Sequence, residues 1–211
     1  MGTTGDVVAA RVLPGIWGGL RPLSLADAAD IYALTHGAER DATWREMKVG
    51  PFDDLAAFEA HIAELLADGS RAFFTVVDPG GRALGWLCLM EVSRPHRSVE
   101  LGYVLYGTPL QRTTLATEAF YLVMAYIFEE LRFHRLEWTC TETNVRSRRA
   151  ADRLGFVFEG IMRDKLVLKG KTQNIALYSL LATEWPQRKQ AMAAWLDPAN
   201  FDNGQQRSPL R

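Results

Sequence analysis

Only two cysteines, Cys88 and Cys140, occur in the chain, each inside an apolar run. With so few thiols, a disulfide framework is not expected and both should be reduced. The opening MGTTGDVVAA lacks the charged-then-apolar order of an export signal, and no apolar run is long enough to cross a bilayer. A cytoplasmic protein with no membrane partner is therefore expected. Neither sign of charge dominates: 24 Lys and Arg stand against 25 Asp and Glu, a formal net charge of −1. That balance argues against nucleic-acid binding, so any anion site must be local. The four histidines are scattered and neither cysteine has a partner at ligand spacing, which gives no reason to expect a metal. Glycine-rich phosphate loops are missing too: there is no run ending Gly-Lys-Ser/Thr and no set of spaced dinucleotide glycines. Nucleoside triphosphates and NAD drop out as ligands.

What the chain does have is 48% hydrophobic residues over 211 positions, enough for one domain with a substantial core. After a short strand near Leu20–Leu23, SLADAADIYALT has helical spacing with Ser24 as cap. DDLAAFEAHIAELLADG is a second helix, with an Asp cap, a stripe of Leu55, Phe58, Ile62, Leu65 and Leu66, and Gly69 as stop. The connection between them, THGAERDATWREMKVGPF, is too long for a turn, and loops of that length are often functional. RAFFTVVD, PGG and RALGWLCLMEV then form a hairpin, followed by the strand SVELGYVLYG. TTLATEAFYLVMAYIFEEL is apolar on nearly every side and predicts a packed-in helix. The strand HRLEWTCTE, the short helix NVRSRRAADRL stopped by Gly155, and a hairpin with a KGKTQN turn complete the pattern. Strands first, then alternating helix and strand, predict an α/β (α+β) fold with a mixed, mostly antiparallel sheet of about seven strands. Residues 18–185 are expected to form the domain. Residues 1–17 form an extension and 186–211 a helix with a polar tail, DNGQQRSPLR, too poor in apolar area to order itself.

The stretch LQRTTLATEAF, Leu110 to Phe120, gathers small hydrogen-bonding side chains and an arginine at the mouth of the buried helix. A helix N-terminus leaves backbone N–H groups without partners and carries partial positive charge, which suits a phosphate. Two uses of the threonines stay open: they donate to phosphate oxygens, or they only cap the helix.

The pattern P-x-Q-x-x-T-x-A-T-E-A from Pro109 to Ala119 resembles the coenzyme A pyrophosphate loop of the GNAT superfamily of N-acetyltransferases. NVRSRRAADRLGFVFEGIMRD, Asn144 to Asp164, is similar to the Asn-x-x-Ser helix and Gly-Phe strand start of the branch that includes the ribosomal-protein alanine acetyltransferases. VELGYVL before the loop and the KGK hairpin after it fit the same branch, and the resemblance runs from about Leu20 to Trp185. Two glycines usual in the family are replaced by Arg112 and Thr114. The tyrosine many relatives carry seven residues after the Asn is here Ala151.

The resemblance implies acetyl-CoA as co-substrate, bound by Gln111, Arg112, Thr113, Thr114, Leu115, Ala116 and Thr117 in the loop. It also implies backbone groups of Val104, Leu105 and Tyr106 for pantetheine, with Asn144 and Ser147 beside it. The acceptor it implies is a primary amine, on a small molecule or a protein N-terminus, and relatives often dimerise, for which the segment around Trp195 is a candidate. Acetyl transfer needs a neutral amine and a proton balance at the departing thiolate. Glu100, flanked by apolar residues where a bare carboxylate is costly, is the candidate base; the alternative is that it pairs with an arginine and only orders the site. Ser147 takes over the donor role at the sulfur, or serves only as a cap. Trp44 in the long connection either lines the acceptor pocket or pins the loop to the core. Arg146, Arg148 and Arg149 read mostly as a solvated face. A coenzyme-A-binding sensor without turnover is the rival reading, motivated by the missing glycines and tyrosine.

Overall fold

A computed structural model describes residues 8–202 and 204–210. Residues 1–7 of the expected extension, with Asn203 and Arg211 of the tail, lie outside the described residues. The chain opens with β1 (Leu13–Pro14) and β2 (Gly19–Pro22). A single 3-10 turn, Leu25–Asp27, leads into α1 (Ala28–Thr35). Here the Asp27 carboxylate accepts from the Ser24 amide at 3.0 Å, from Arg21 and from Thr75, tying this corner to the sheet. The long connection contains a five-residue helix, α2 (Arg40–Trp44). In α3 (Leu55–Ala67) the Asp54 carboxylate caps the Ala57 amide at 2.8 Å.

The strands β3 (Ala72–Val77), β4 (Ala83–Ser93) and β5 (Ser98–Tyr106) follow as an antiparallel meander. The apolar helix is α4 (Thr114–Ala125), continued by a π-helical turn at Tyr126–Glu130. Then come β6 (Arg135–Thr141), α5 (Val145–Leu154), β7 (Val157–Leu168) and β8 (Lys171–Leu181). Gly155 ends α5 at φ +89°, a left-handed conformation that glycine adopts without a Cβ penalty. The last α-helix among the described residues is α6 (Trp185–Leu196), followed by a 3-10 turn at Pro198–Asn200.

The sheet has eight strands in the order β1-β2-β3-β4-β5-β6-β8-β7. One strand beyond the expected seven is the two-residue β1, whose length gives no periodicity to read. Pairing is antiparallel except between β5 and β6, which run parallel. Alternation along β4 divides the core: Leu87 and Leu89 pack with α4, whereas Trp86 and Cys88 pack with α1 and α3. In α3, Phe58, Ile62 and Leu65 are buried as the stripe predicts, but Leu66 lies outside it and is exposed.

The flanking segments pack on this body. Val8 lies in the α4-side core, and the Trp17 indole donates to the Leu196 carbonyl at 2.9 Å. The polar tail departs from expectation: hydrogen bonds hold it, and Leu210 packs against the α4-side core. The strands β9 (Phe201–Asp202) and β10 (Gln205–Gln206) pair with each other. Trp195 donates to the Gln206 side chain at 2.9 Å, and Asn200 exchanges bonds with Ser208. Among the described residues no helix is long and apolar enough to cross a membrane.

Candidate active site

The parallel pair of β5 and β6 is short. Ser98 aligns with Arg135, Val99 with Leu136 and Glu100 with Glu137, and the pairing ends there. Beyond Glu100, β5 stays with β4 as far as Tyr106, while β6 stays with β8 as far as Thr141. The strands therefore fork, and among the described residues no strand pairs with the β6-facing edge of β5 along its last six residues. A bulge bends β5 at this place: the register with β4 slips between Trp86 and Cys88, and Tyr103 takes φ +49°. The Trp86 indole fixes the bulge by donating to the Tyr103 carbonyl at 3.0 Å.

The arm of the fork formed by β5 leads straight into the α4 N-terminus. Thr113 is the N-cap, its hydroxyl oxygen accepting from the Ala116 amide at 3.1 Å and donating to the Leu110 carbonyl at 2.7 Å. Thr117 is buried, receiving the Arg153 guanidinium at 3.0 Å. Two of the three threonine hydroxyls are thus committed within the chain, which is the capping use. The amides of Thr114 and Leu115 have no partner among the described residues, and neither has the Thr114 hydroxyl. Gln111 reaches back to the Tyr106 carbonyl at 2.9 Å, engaging one of its two side-chain N–H groups and one lone pair of that carbonyl. Arg112 sits at φ +63° with its side chain exposed at the turn. Leu115 and Ala116 are buried in the α4-side core and offer only backbone. Free amides, a threonine hydroxyl and an exposed guanidinium at a helix N-terminus fit a diphosphate.

At the crotch of the fork, Glu100 is 8% exposed and accepts from Thr139 at 2.6 Å. Burial raises its pKa and the nearby carboxylates of Glu137 and Glu91 push the same way, against the Thr139 bond and Lys48. Among the described residues its side-chain partner is a threonine, not an arginine. A buried carboxylate of raised pKa beside a fork is a suitable proton acceptor.

Across the gap, Asn144 caps α5 by accepting from the Ser147 amide at 3.1 Å. The Ser147 hydroxyl oxygen in turn accepts from the Trp138 indole at 2.9 Å. Arg148 is not merely solvated: its guanidinium donates to the Tyr178 hydroxyl at 3.0 Å and lies over Phe158.

Trp44 is fully buried, and its indole donates to the Thr35 carbonyl at 3.1 Å. Its ring packs against His36, Phe52 and Phe58. It pins the long connection to the core and presents no surface to an acceptor. The loop is also tied forward: Lys169, at the tip of the β7–β8 hairpin, donates to the Trp44 carbonyl at 2.8 Å. Thr141, at the end of β6, donates to Glu46 at 2.8 Å. Glu46, Lys169, Trp138 and Arg153 were not legible as site residues, since each gains its place from a partner far away in the chain. Among the described residues no group of three or more His, Cys, Asp or Glu is placed to hold a metal ion.

Residues 19–157 match the family model described as an acetyltransferase (GNAT) domain. YdaF of Bacillus subtilis (strain 168), whose name provisionally makes it a ribosomal N-acetyltransferase, is 31% identical over 109 residues, 52% of this chain. That match spans 59% of the relative's own length. Spermidine N(1)-acetyltransferase of Escherichia coli (strain K12) is 28% identical over 74% of this chain and 81% of its own. Among solved structures, a GCN5-related N-acetyltransferase from Brucella melitensis superposes with a TM-score of 0.92 at 35% identity, covering 95% of this chain and 92% of that one.

Proposed function

The chain belongs to the GNAT family of acetyltransferases, and we propose that it moves an acetyl group from acetyl-CoA directly to a primary amine held in the same complex. The observation that carries this reading is the fork after Glu100, whose β5 arm runs into an N-terminus with unpartnered amides. In this reading the amides of Thr114 and Leu115, with Arg112 and the Thr114 hydroxyl, hold the diphosphate. The unpaired edge of β5 takes the pantetheine arm through the backbone groups of Val104 and Tyr106, while Leu105 turns its own toward Trp86 on β4. Asn144 and Ser147 flank the arm from α5. Glu100 receives the proton that the amine sheds as it attacks the thioester.

The acceptor lies on the other side of the sheet, toward the loop tied down by Lys169 and Thr141. Carboxylates around Glu100 favour a cationic amine there. The relatives' names include a spermidine and a ribosomal N-acetyltransferase, and a polyamine is one primary amine consistent with these charges. Release of free thiol from acetyl-CoA, measured with spermidine, lysine and peptides beginning with Ala or Ser, tests the proposal. Acetylation of at least one amine, seen by mass spectrometry, is expected; coenzyme binding with every amine left unmodified contradicts it.

A further inference from the structure

Trp138 lies on the α4-side face of β6, buried between Phe120 and Phe156 with ring centroids 5.4 and 5.5 Å away. Its Nε1–H donates to the Ser147 Oγ at 2.9 Å. The Ser147 amide is held separately by the Asn144 side chain at 3.1 Å. Backbone and oxygen of the serine are therefore both fixed, by groups from two different elements. A serine hydroxyl carries one proton and rotates freely unless its oxygen is engaged, whereas an indole N–H can only donate. The Ser147 oxygen must accept from Trp138, so its own proton cannot point at the indole and is directed elsewhere.

Hydrogen bonds in series polarise one another, so a serine that accepts from an indole is a stronger donor than a lone serine.

We infer that Trp138 is a positioning residue for acetyl transfer, its indole N–H orienting the Ser147 hydroxyl to donate to the coenzyme sulfur as the C–S bond breaks. The inference rests on the transferase reading above. In the step, the amine nitrogen forms a bond to the thioester carbonyl carbon, and the C–S bond breaks with its electron pair on sulfur. The surplus proton of the amine passes to the Glu100 carboxylate. The sulfur departs as a thiolate hydrogen-bonded by Ser147 and takes its proton from solvent after release; the serine keeps its own. The donor that many relatives supply from a tyrosine at the position of Ala151 is here assembled from a serine on α5 and an indole on β6.

Trp138→Phe keeps a ring between Phe120 and Phe156 and removes the N–H together with part of the indole's buried bulk. Thiol release is measured for the unaltered protein, Trp138→Phe, Ser147→Ala and the double variant, over a range of acetyl-CoA concentrations. The expected result is a kcat about tenfold lower for Trp138→Phe, a KM for acetyl-CoA within about twofold, and a double variant no slower than Ser147→Ala alone. A Trp138→Phe protein turning over at the unaltered rate overturns the inference. So does a loss that multiplies fully with that of Ser147→Ala, since that is the signature of a packing effect. The benzothiophene analogue of tryptophan at position 138 keeps the bicyclic shape and lacks the N–H, and it must give the same kcat loss even if the phenylalanine variant folds poorly. Absence of turnover in the unaltered protein with every amine overturns the transferase reading and this one together; normal turnover with an indifferent Trp138→Phe overturns this one alone.

Discussion

The Thr139 hydroxyl donates to the Glu100 carboxylate at 2.6 Å, from one strand to its neighbour at the point where the two part. The bond holds the carboxylate at the crotch of the fork while burial keeps its pKa raised. Glu100→Gln retains an acceptor for Thr139 but cannot take a proton. Turnover is expected to fall by about 10²–10⁴, the usual contribution of a positioned base, with coenzyme affinity little changed. A loss confined to coenzyme affinity contradicts the role.

The same residue sets a pH signature. Its folded pKa lies above the ordinary value, so the folded state binds its proton more tightly than the unfolded chain. Stability is therefore lost as pH rises from the ordinary value, 4.5, through the raised one, because the folded state must then bury a charge. Glu100→Gln is expected to melt at a higher temperature than the unaltered protein at about pH 8, with the gap closing below about pH 4. Activity runs the opposite way, its acid limb lying above the ordinary carboxylate range. Calorimetric scans across pH for both proteins check the first expectation and a pH–rate profile the second.

Arg112 occupies the left-handed region at φ +63°, where a side chain other than glycine's costs about 1 kcal/mol. Arg112→Gly relieves that cost and removes the guanidinium. The expected outcome is unchanged or slightly higher stability together with coenzyme binding weakened several-fold and less sensitive to salt. Titration calorimetry at two ionic strengths distinguishes this from a purely structural arginine, whose loss leaves affinity unmoved.

His36 and Trp44 together fasten the long connection. The His36 Nε2 accepts from the Phe52 amide at 3.1 Å, which requires an unprotonated nitrogen, and burial lowers the His36 pKa. The stability it contributes is complete above its ordinary value, 6.5, and is lost as pH falls from there through the lowered folded value. Hydrogen exchange across residues 36–54 is expected to quicken below about pH 6 before the rest of the fold responds. Trp44→Ala, which empties a fully buried site, is expected to destabilise the protein by about 3–5 kcal/mol in urea unfolding.

Lys169 reaches the Trp44 carbonyl from the last hairpin at 2.8 Å. Lys169→Met removes that strap without disturbing the buried indole. Faster exchange in residues 40–52 and a changed preference between slender and bulky amines are expected, with coenzyme affinity unaltered. Identical exchange in both proteins would show the strap to be incidental.

Much of this architecture was readable in the chain because it is local. The Asp54 cap, the period change at Ala72 and the stop at Gly155 each depend on a few neighbouring residues. The capped helix start before α4 was readable for the same reason, and of the two uses left open for its threonines, Thr113 and Thr117 take the inward one while Thr114 has no partner among the described residues. The fork was not readable, since VELGYVLY and HRLEWTCTE are both plain strands and only their pairing shows where they separate. Trp44 illustrates the same limit, an aromatic in a polar loop whose role was decided by the helices that close around it. The tail reversed the expectation because Trp195 and Asn200 supply hydrogen bonds that composition does not reveal.

The most direct test of the account is amide exchange resolved by residue, with and without coenzyme A. Protection is predicted at Thr114 and Leu115 and at Val104 and Tyr106, the groups that the helix tip and the unpaired strand edge leave open. Binding that leaves both sets exchanging at their free rates, or protects some other face of the sheet, would contradict it.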